Sequence, residues 1–266
     1  MAGTKNTVHR GLGIASLLLV AAGWGCVAAG AAEGDSRWGY SCAEGAPFVW
    51  GLSFPGCNGD AQSPIDVSTT GAVRSSLPPL APEYGPTDLK VVNDGHTVEA
   101  EVVTVGPKLK VGEETYELIR FHWHTPSEHW LDGELFPMEL HMVHGGEHGN
   151  LVLGLLIEAG QANAELEKIW RYLPREPGGH ANVRGFEIAE LLPDPPLRSY
   201  RYPGSLTTPG CDQGIQWVLL AEPVEMSEAQ IATFRELFFG NERFPVGNAR
   251  PLQPRNGREV ETDVGE

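Results

Sequence analysis

The sequence predicts a β-rich α+β fold in a single domain, and three observations carry that reading. From Leu89 onward, segments of strand length follow one another at short intervals. Asn93-Asp94-Gly95 and Val111-Gly112-Glu113 supply turn chemistry between them. Only two stretches combine helical periodicity with a capping residue. No internal repeat, low-complexity tract or linker divides the chain, so 33–266 reads as one domain.

The elements follow in order. Residues 1–32 read as a secretory signal: Lys5, His9 and Arg10 give a positive start, Leu12 to Ala22 an apolar core, and Ala28 to Ala32 small residues for cleavage. That core is short of the roughly 20 residues a membrane span needs. The stretch from Glu33 to Pro86 is rich in Gly and Pro and reads as loops wrapped around a core. Strands are expected at Leu89–Val92, Thr97–Val105, Leu109–Val111, Thr115–His124, Met138–His144 and Leu151–Ile157. The last is continuously apolar, as suits a strand buried on both faces. Asn163 can cap a helix over Ala164 to Leu173, with Leu166, Ile169, Trp170 and Leu173 on one face and Pro174 as the stop. Ser227 and Gln230 form a capping box before Ile231, Phe234, Leu237 and Phe238, and Gly240 provides the exit.

Composition narrows the function. The chain carries a formal charge of −16. Removing Lys5 and Arg10 with the signal leaves 17 − 35 = −18. So acidic a surface argues against nucleic acid or an anionic membrane as a partner. Cys26 falls in the signal segment, whose surroundings are a poor lipoprotein site. Cys42, Cys57 and Cys211 remain, an odd number that leaves one to be buried, free or a link between subunits. A homodimer therefore stays open.

Arg120-Phe121-His122-Trp123-His124, followed by Glu139-Leu140-His141, is the most informative stretch. On a strand, side chains two apart share a face, so His122 and His124 project together with Phe121 and Trp123 opposite. In the second segment Glu139, His141 and Val143 share one face; Leu140, Met142 and His144 share the other. If the two strands are neighbours, three imidazoles converge. Three neutral histidines without cysteine suit a catalytic zinc that keeps one position open. Alternating strands also produce His-x-His pairs by chance, so the pair alone leaves structural histidines as an alternative.

The surroundings of the pair decide the matter. Trp38-Gly39-Tyr40, Gln62-Ser63-Pro64-Ile65-Asp66, Asn93-Asp94-Gly95-His96, both histidine segments with Thr125-Pro126-Ser127-Glu128-His129, Tyr202 to Pro209, Trp217 and Asn248 to Pro251 occur in one order. In these motifs the chain resembles the α-class carbonic anhydrases over nearly its whole exported length. The resemblance implies a large twisted, mostly antiparallel central sheet with peripheral helices and a conical zinc cleft. It implies zinc (Zn²⁺) on His122, His124 and His141, and hydration of CO₂ to bicarbonate by a zinc-bound hydroxide. CO₂, bicarbonate and water are then the small-molecule partners.

The resemblance also assigns roles. Thr207 accepts the hydroxide's proton and donates its own to Glu128, which can only accept. Thr208 contacts bicarbonate. Val143, Val152, Leu206, Ile215 and Trp217 form the wall against which CO₂ sits. His96 shuttles the proton to solvent, with Tyr40 and Asn93 in its water network. Glu139 supports His141 and Asn248 supports His124, with His129 and Tyr202 behind Glu139. Cys57 and Cys211 match a disulfide of exported relatives, which leaves Cys42 unpaired. His144 is expected to be structural, and His148 and His180 to be exposed.

Three residues depart from the family pattern. Arg120 stands where a glutamine commonly accepts a hydrogen bond from the first zinc ligand, and a guanidinium has no acceptor. His122 is therefore expected to use another acceptor, at a cost in zinc affinity or a change in water pKa. Asp94 and Glu99 add negative charge at the cleft mouth. Two other readings carry less: a metal-free carbonic-anhydrase-like binding domain would usually lack a ligand histidine, and a dedicated esterase would need a Gly-x-Ser-x-Gly motif.

Overall fold

The structure is a computed structural model describing residues 38–265. The expected signal at 1–32 lies outside the described residues. Within them, no helix is long and apolar enough to cross a membrane.

A 13-stranded sheet dominates. Across it, the strands run His180–Glu187, Pro86–Asn93, Val98–Val102, Glu114–His124, Met138–Gly146, Gly149–Ala159, Gln213–Leu220, Ser199–Ser205, Glu261–Thr262 and Val73–Arg74. Pairing through the middle is antiparallel, with short turns joining Pro86–Asn93 to Val98–Val102 and Met138–Gly146 to Gly149–Ala159. Gly149–Ala159 instead pairs with Gln213–Leu220 in parallel, after a long excursion of chain between them. The expected strands all appear, lengthened or trimmed by a few residues at their ends. The 38–86 region is mostly short helical turns and loops, as expected, with brief strands such as Leu80–Glu83.

Two corrections concern the helices and the unforeseen strands. The helix expected over 164–173 is only Glu167–Trp170. Asn163 Oδ1 does accept from the Leu166 N–H at 2.9 Å, but the backbone then tightens, with Lys168 N–H donating to Glu165 and Ile169 N–H to Leu166. Its apolar face still packs: Leu166, Ile169, Trp170 and Leu173 are all buried. The strands His180–Glu187, Ser199–Ser205 and Gln213–Leu220 were not among those expected. Ser199–Ser205 holds a buried Arg201, a proline and a glycine, so its backbone pairing is set by its neighbours rather than by an apolar alternation. The Glu228–Phe238 helix carries the expected capping box, and Gly240 follows its end with φ of +74°.

The two faces of the Glu114–His124 strand serve different purposes. Phe121 and Trp123 are fully buried on one face, where Trp123 meets Trp170 edge-on at 5.0 Å between ring centroids. That large core pins the backbone of the histidine-bearing strand. A smaller cluster on the cleft side contains Val143, Val152, Ile215, Trp217 and Tyr202.

The Cys57–Cys211 disulfide is present, with Cα atoms 4.8 Å apart. Cys42 departs from expectation: it is disulfide-bonded rather than unpaired, and there is no free cysteine among the described residues.

Candidate metal centre

Register places the histidines. His122 lies directly opposite His141, and His124 opposite Glu139, on the antiparallel Glu114–His124 and Met138–Gly146 strands. Directly opposed residues project to the same face. Ring centroids are 5.0 Å apart for His122–His124, 5.3 Å for His122–His141 and 4.6 Å for His124–His141. One nitrogen from each ring falls within 4.8 Å of the others.

Hydrogen bonds assign the nitrogens of two rings. His124 Nδ1 donates to the Asn248 carbonyl at 2.7 Å, which leaves Nε2 buried with no partner. His141 Nε2 donates to Glu139 Oε1 at 2.8 Å, which leaves Nδ1 for the cluster. His122 Nδ1 is buried without a hydrogen-bond partner, so the acceptor expected in place of the usual glutamine is not found. Burial, then the neighbouring imidazoles, push His122 well below its ordinary pKa. Burial also lowers His124, partly offset by Glu128. For His141 burial lowers and Glu139 raises, and the carboxylate prevails. Three imidazoles, two of them carrying a buried nitrogen without a partner and none accompanied by a thiolate, are the donor set zinc takes in an open site.

Glu139 is the hub behind the histidine cluster. Its Oε2 accepts the N–H groups of Glu128 at 2.8 Å and His129 at 2.7 Å. Its Oε1 faces His129 Nδ1 at 2.7 Å and His141 Nε2 at 2.8 Å. Burial alone would raise its pKa, but His129 and His141 together hold it well below the carboxylate range. His129 Nε2 lies 2.6 Å from the Tyr202 hydroxyl, which donates to Ser63 Oγ at 2.9 Å. His129, Glu139 and His141 also form a close group, but hydrogen bonds already occupy both His129 nitrogens, so it is a support and not a second metal site.

Asn248 clamps the end of the ligand strand. Its Oδ1 accepts from Thr125 N–H at 2.7 Å, and its Nδ2 donates to the carbonyls of His96 and Trp123. Gly247 allows this approach: its φ is +105°, and a Cβ there would sit 2.0 Å from the Thr125 carbonyl oxygen.

Glu128 Oε1 accepts from the Arg250 N–H at 2.8 Å, while Oε2 is buried with no partner. Thr207 is buried on the loop after the Ser199–Ser205 strand, and no hydrogen bond joins it to Glu128. Thr208 lies partly exposed beside it, its carbonyl accepting from Cys211 N–H. Val143, Val152, Ile215 and Trp217 come together in one apolar cluster with Leu206 packed against it. Trp217 is oriented by Nε1–H donating to the Ser205 carbonyl at 2.8 Å.

His96 stacks on Trp38 with centroids 3.8 Å apart, and its Nε2 lies 3.1 Å from the Trp38 carbonyl oxygen. Asp94 Oδ1 accepts from the N–H groups of His96 and Thr97. The Asn93 amide is used at both ends, by Gly95 N–H and the Pro174 carbonyl, so it shapes the turn that carries His96. Tyr40 is buried against Trp38 and Trp50. Burial first, then Glu128 and Asp94, raise its pKa well above the phenol range, so it stays protonated. His144 is buried between Tyr84 and the Met142 carbonyl, with its pKa lowered to about 4 by burial. His148 and His180 are exposed.

Sequence reasoning missed Arg250 as a positioning residue. Beyond its N–H bond to Glu128, its guanidinium donates to Gln62 Oε1 and the Ser63 carbonyl, both at 2.8 Å. Its only signal was its place inside the Asn248–Pro251 motif.

Comparisons with known proteins identify the family. The sequence model of the eukaryotic-type carbonic anhydrase family matches residues 45–264. A carbonic anhydrase of Neisseria gonorrhoeae is 39% identical over 86% of this chain and 90% of its own length. One from Nostoc sp. is 38% identical over 88% of this chain and 89% of its own. A solved α-carbonic anhydrase from Thermovibrio ammonificans, in complex with the inhibitor sulfanilamide, superposes with a TM-score of 0.77 at 39% identity. The match covers 85% of this chain and 98% of that one. With a strand-rich fold, a matching family model and relatives of this identity along most of its length, the chain belongs to the α-class, eukaryotic-type carbonic anhydrase family.

Proposed function

We propose that this chain is an exported zinc-dependent carbonic anhydrase, interconverting CO₂ and water with bicarbonate and a proton. The observation that carries the reading is the three-imidazole cluster in which hydrogen bonds to Asn248 and Glu139 each leave one ring nitrogen free toward a common point. His122, His124 and His141 would hold the metal. Zinc bound there supplies a Lewis acid and a water acidified to a pKa of about 7, the value known for carbonic anhydrase itself.

The chain's own residues do the rest. Glu128 Oε2, an acceptor without a partner, takes the hydrogen bond of the Thr207 hydroxyl. Thr207 Oγ1 must then accept from the attacking oxygen, which turns a lone pair of the nucleophile toward CO₂. Val143, Val152, Leu206, Ile215 and Trp217 form a dry wall for CO₂, which offers no hydrogen-bond donor. Thr208 contacts the bicarbonate product. His96 receives the released proton and carries it to solvent, with Tyr40 contributing a protonated hydroxyl on the way. Asn93 acts on this path by holding the His96 turn. Disulfide bonds at Cys57, Cys211 and Cys42 favour an oxidising compartment, periplasmic or extracellular.

Stopped-flow CO₂ hydration, measured before zinc chelation, after it and after zinc is restored, tests the proposal. Activity lost on chelation and regained with zinc is the expected result; activity absent or indifferent to zinc overturns it.

A further inference from the structure

The cleft wall carries a charge pair that the reaction scheme above does not use. Arg120 lies two residues before His122 on the same strand and therefore on the same face. Across the sheet it stands opposite Val143 on one side and Glu101 on the other. Val143 in turn stands opposite Val152, so the guanidinium borders the apolar wall assigned to CO₂. Glu99, opposite His122, reaches back so that its Oε2 lies 2.8 Å from Arg120 Nε. That contact is close but not aligned as a hydrogen bond.

Two features make this more than a surface ion pair. Glu101, directly opposite, pairs through Oε2 with Lys90 at 3.0 Å, and the ion pair that Arg120 makes is with Glu99, from its Nε side. The two Nη groups form no hydrogen bond among the described residues, and the side chain keeps 38% of its surface accessible. A positioned guanidinium with an unused fork is suited to planar oxyanions, which it grips through two parallel N–H···O bonds. On the side of Val143 and Val152 its neighbours are apolar and compete for nothing, while Glu99 and Glu101 flank it on the other side.

We infer that Arg120, steadied by Glu99, is an anion-binding point for bicarbonate at the edge of the CO₂ wall, an inference that rests on the carbonic anhydrase reading. Bicarbonate is planar, singly charged and formed beside this wall. CO₂, uncharged and without a donor, gains nothing from the same fork. A contact made to bound bicarbonate stabilises that ground state, so it lowers both KM and kcat for bicarbonate dehydration and strengthens product inhibition of hydration. Glu99 sets the strength: it offsets part of the Arg120 charge and keeps the product from being held too tightly.

The test is bicarbonate binding to the zinc-loaded protein, read by line broadening of ¹³C-bicarbonate in NMR and by the bicarbonate inhibition constant of CO₂ hydration. Arg120→Gln should weaken binding about fivefold, as expected for a charge-assisted pair discounted for partial exposure. kcat and KM for dehydration should rise together. Glu99→Gln should tighten binding, because the guanidinium is no longer offset. Opposite shifts in the two variants support the proposal, since a merely loosened cleft moves both the same way. Unchanged binding in Arg120→Gln, or shifts of the same sign, overturns it. Failure of zinc-dependent CO₂ hydration in the unaltered protein refutes the enzymatic reading instead, and the NMR comparison of the two proteins still decides the anion site.

Discussion

Replacing both half-cystines, Cys57→Ala with Cys211→Ala, should cost the fold about 5 kcal/mol. The bond joins residues separated by 154 positions. A loop that long, freed in the unfolded chain, gives roughly 5 kcal/mol on the chain-entropy relation at 25 °C. For a chain of this size each kcal/mol moves Tm by about 2–4 °C, so the melting point should fall by roughly 10–20 °C. The site should suffer less than the fold. Gln62 Nε2 donates to the carbonyls of Cys211 and Gly56, both at 3.1 Å, and Arg250 reaches the Cys57 carbonyl. These bonds hold the two segments together in the folded state without the covalent link. The assay is equilibrium urea unfolding, comparing midpoints together with CO₂ hydration at low temperature. A midpoint change worth less than about 1 kcal/mol would refute the loop-entropy argument. A collapse of activity in fully folded variant would refute the claim that the hydrogen bonds suffice.

Three further outcomes are expected. Glu139→Gln turns donors toward groups that are themselves donors, so zinc affinity should fall about 10–100-fold in competition with a chelator. Because His129 and His141 outweigh burial and hold Glu139 well below 4.5, its stabilisation is present above about pH 4.5 and lost as pH falls through the lower folded value. In acid unfolding of the metal-free protein, the unaltered chain should therefore lose more stability below pH 4.5 than the variant does; parallel curves count against this account. His96→Ala should lower kcat at saturating CO₂ by about tenfold or more in weak buffer and recover in concentrated imidazole buffer. A rate indifferent to buffer would remove His96 from the proton path.

How much was legible in the sequence depended on whether a residue's role is local. The strands around the histidines announce themselves because one face packs and the other does not, as Phe121 and Trp123 against His122 and His124 make plain. The Ser199–Ser205 strand does not, because its partners and not its own residues determine its pairing. The helix after Asn163 had the right face but the wrong length, since periodicity reports which side is buried and not how tightly the backbone winds. Cys42 was misjudged because an odd count of cysteines says nothing about which of them is bonded. Family motifs brought the three clustered histidines and Glu128 within reach. They could not reveal that Arg120 finds its counter-charge in Glu99, a contact made across two strands.

The Asn248 clamp has a consequence for how the protein is made. His122, His124 and His141 lie near the middle of the chain, yet His124 is oriented, and Glu128 engaged, by backbone groups of Asn248 and Arg250 close to its end. A chain emerging from its N-terminus holds the three histidines well before it holds what orients them. The histidines therefore wait, during synthesis, for the Asn248–Arg250 segment that acts as the latch. That order makes the histidine cluster a late product of folding, complete only once the Asn248–Arg250 segment has docked against His124 and Glu128.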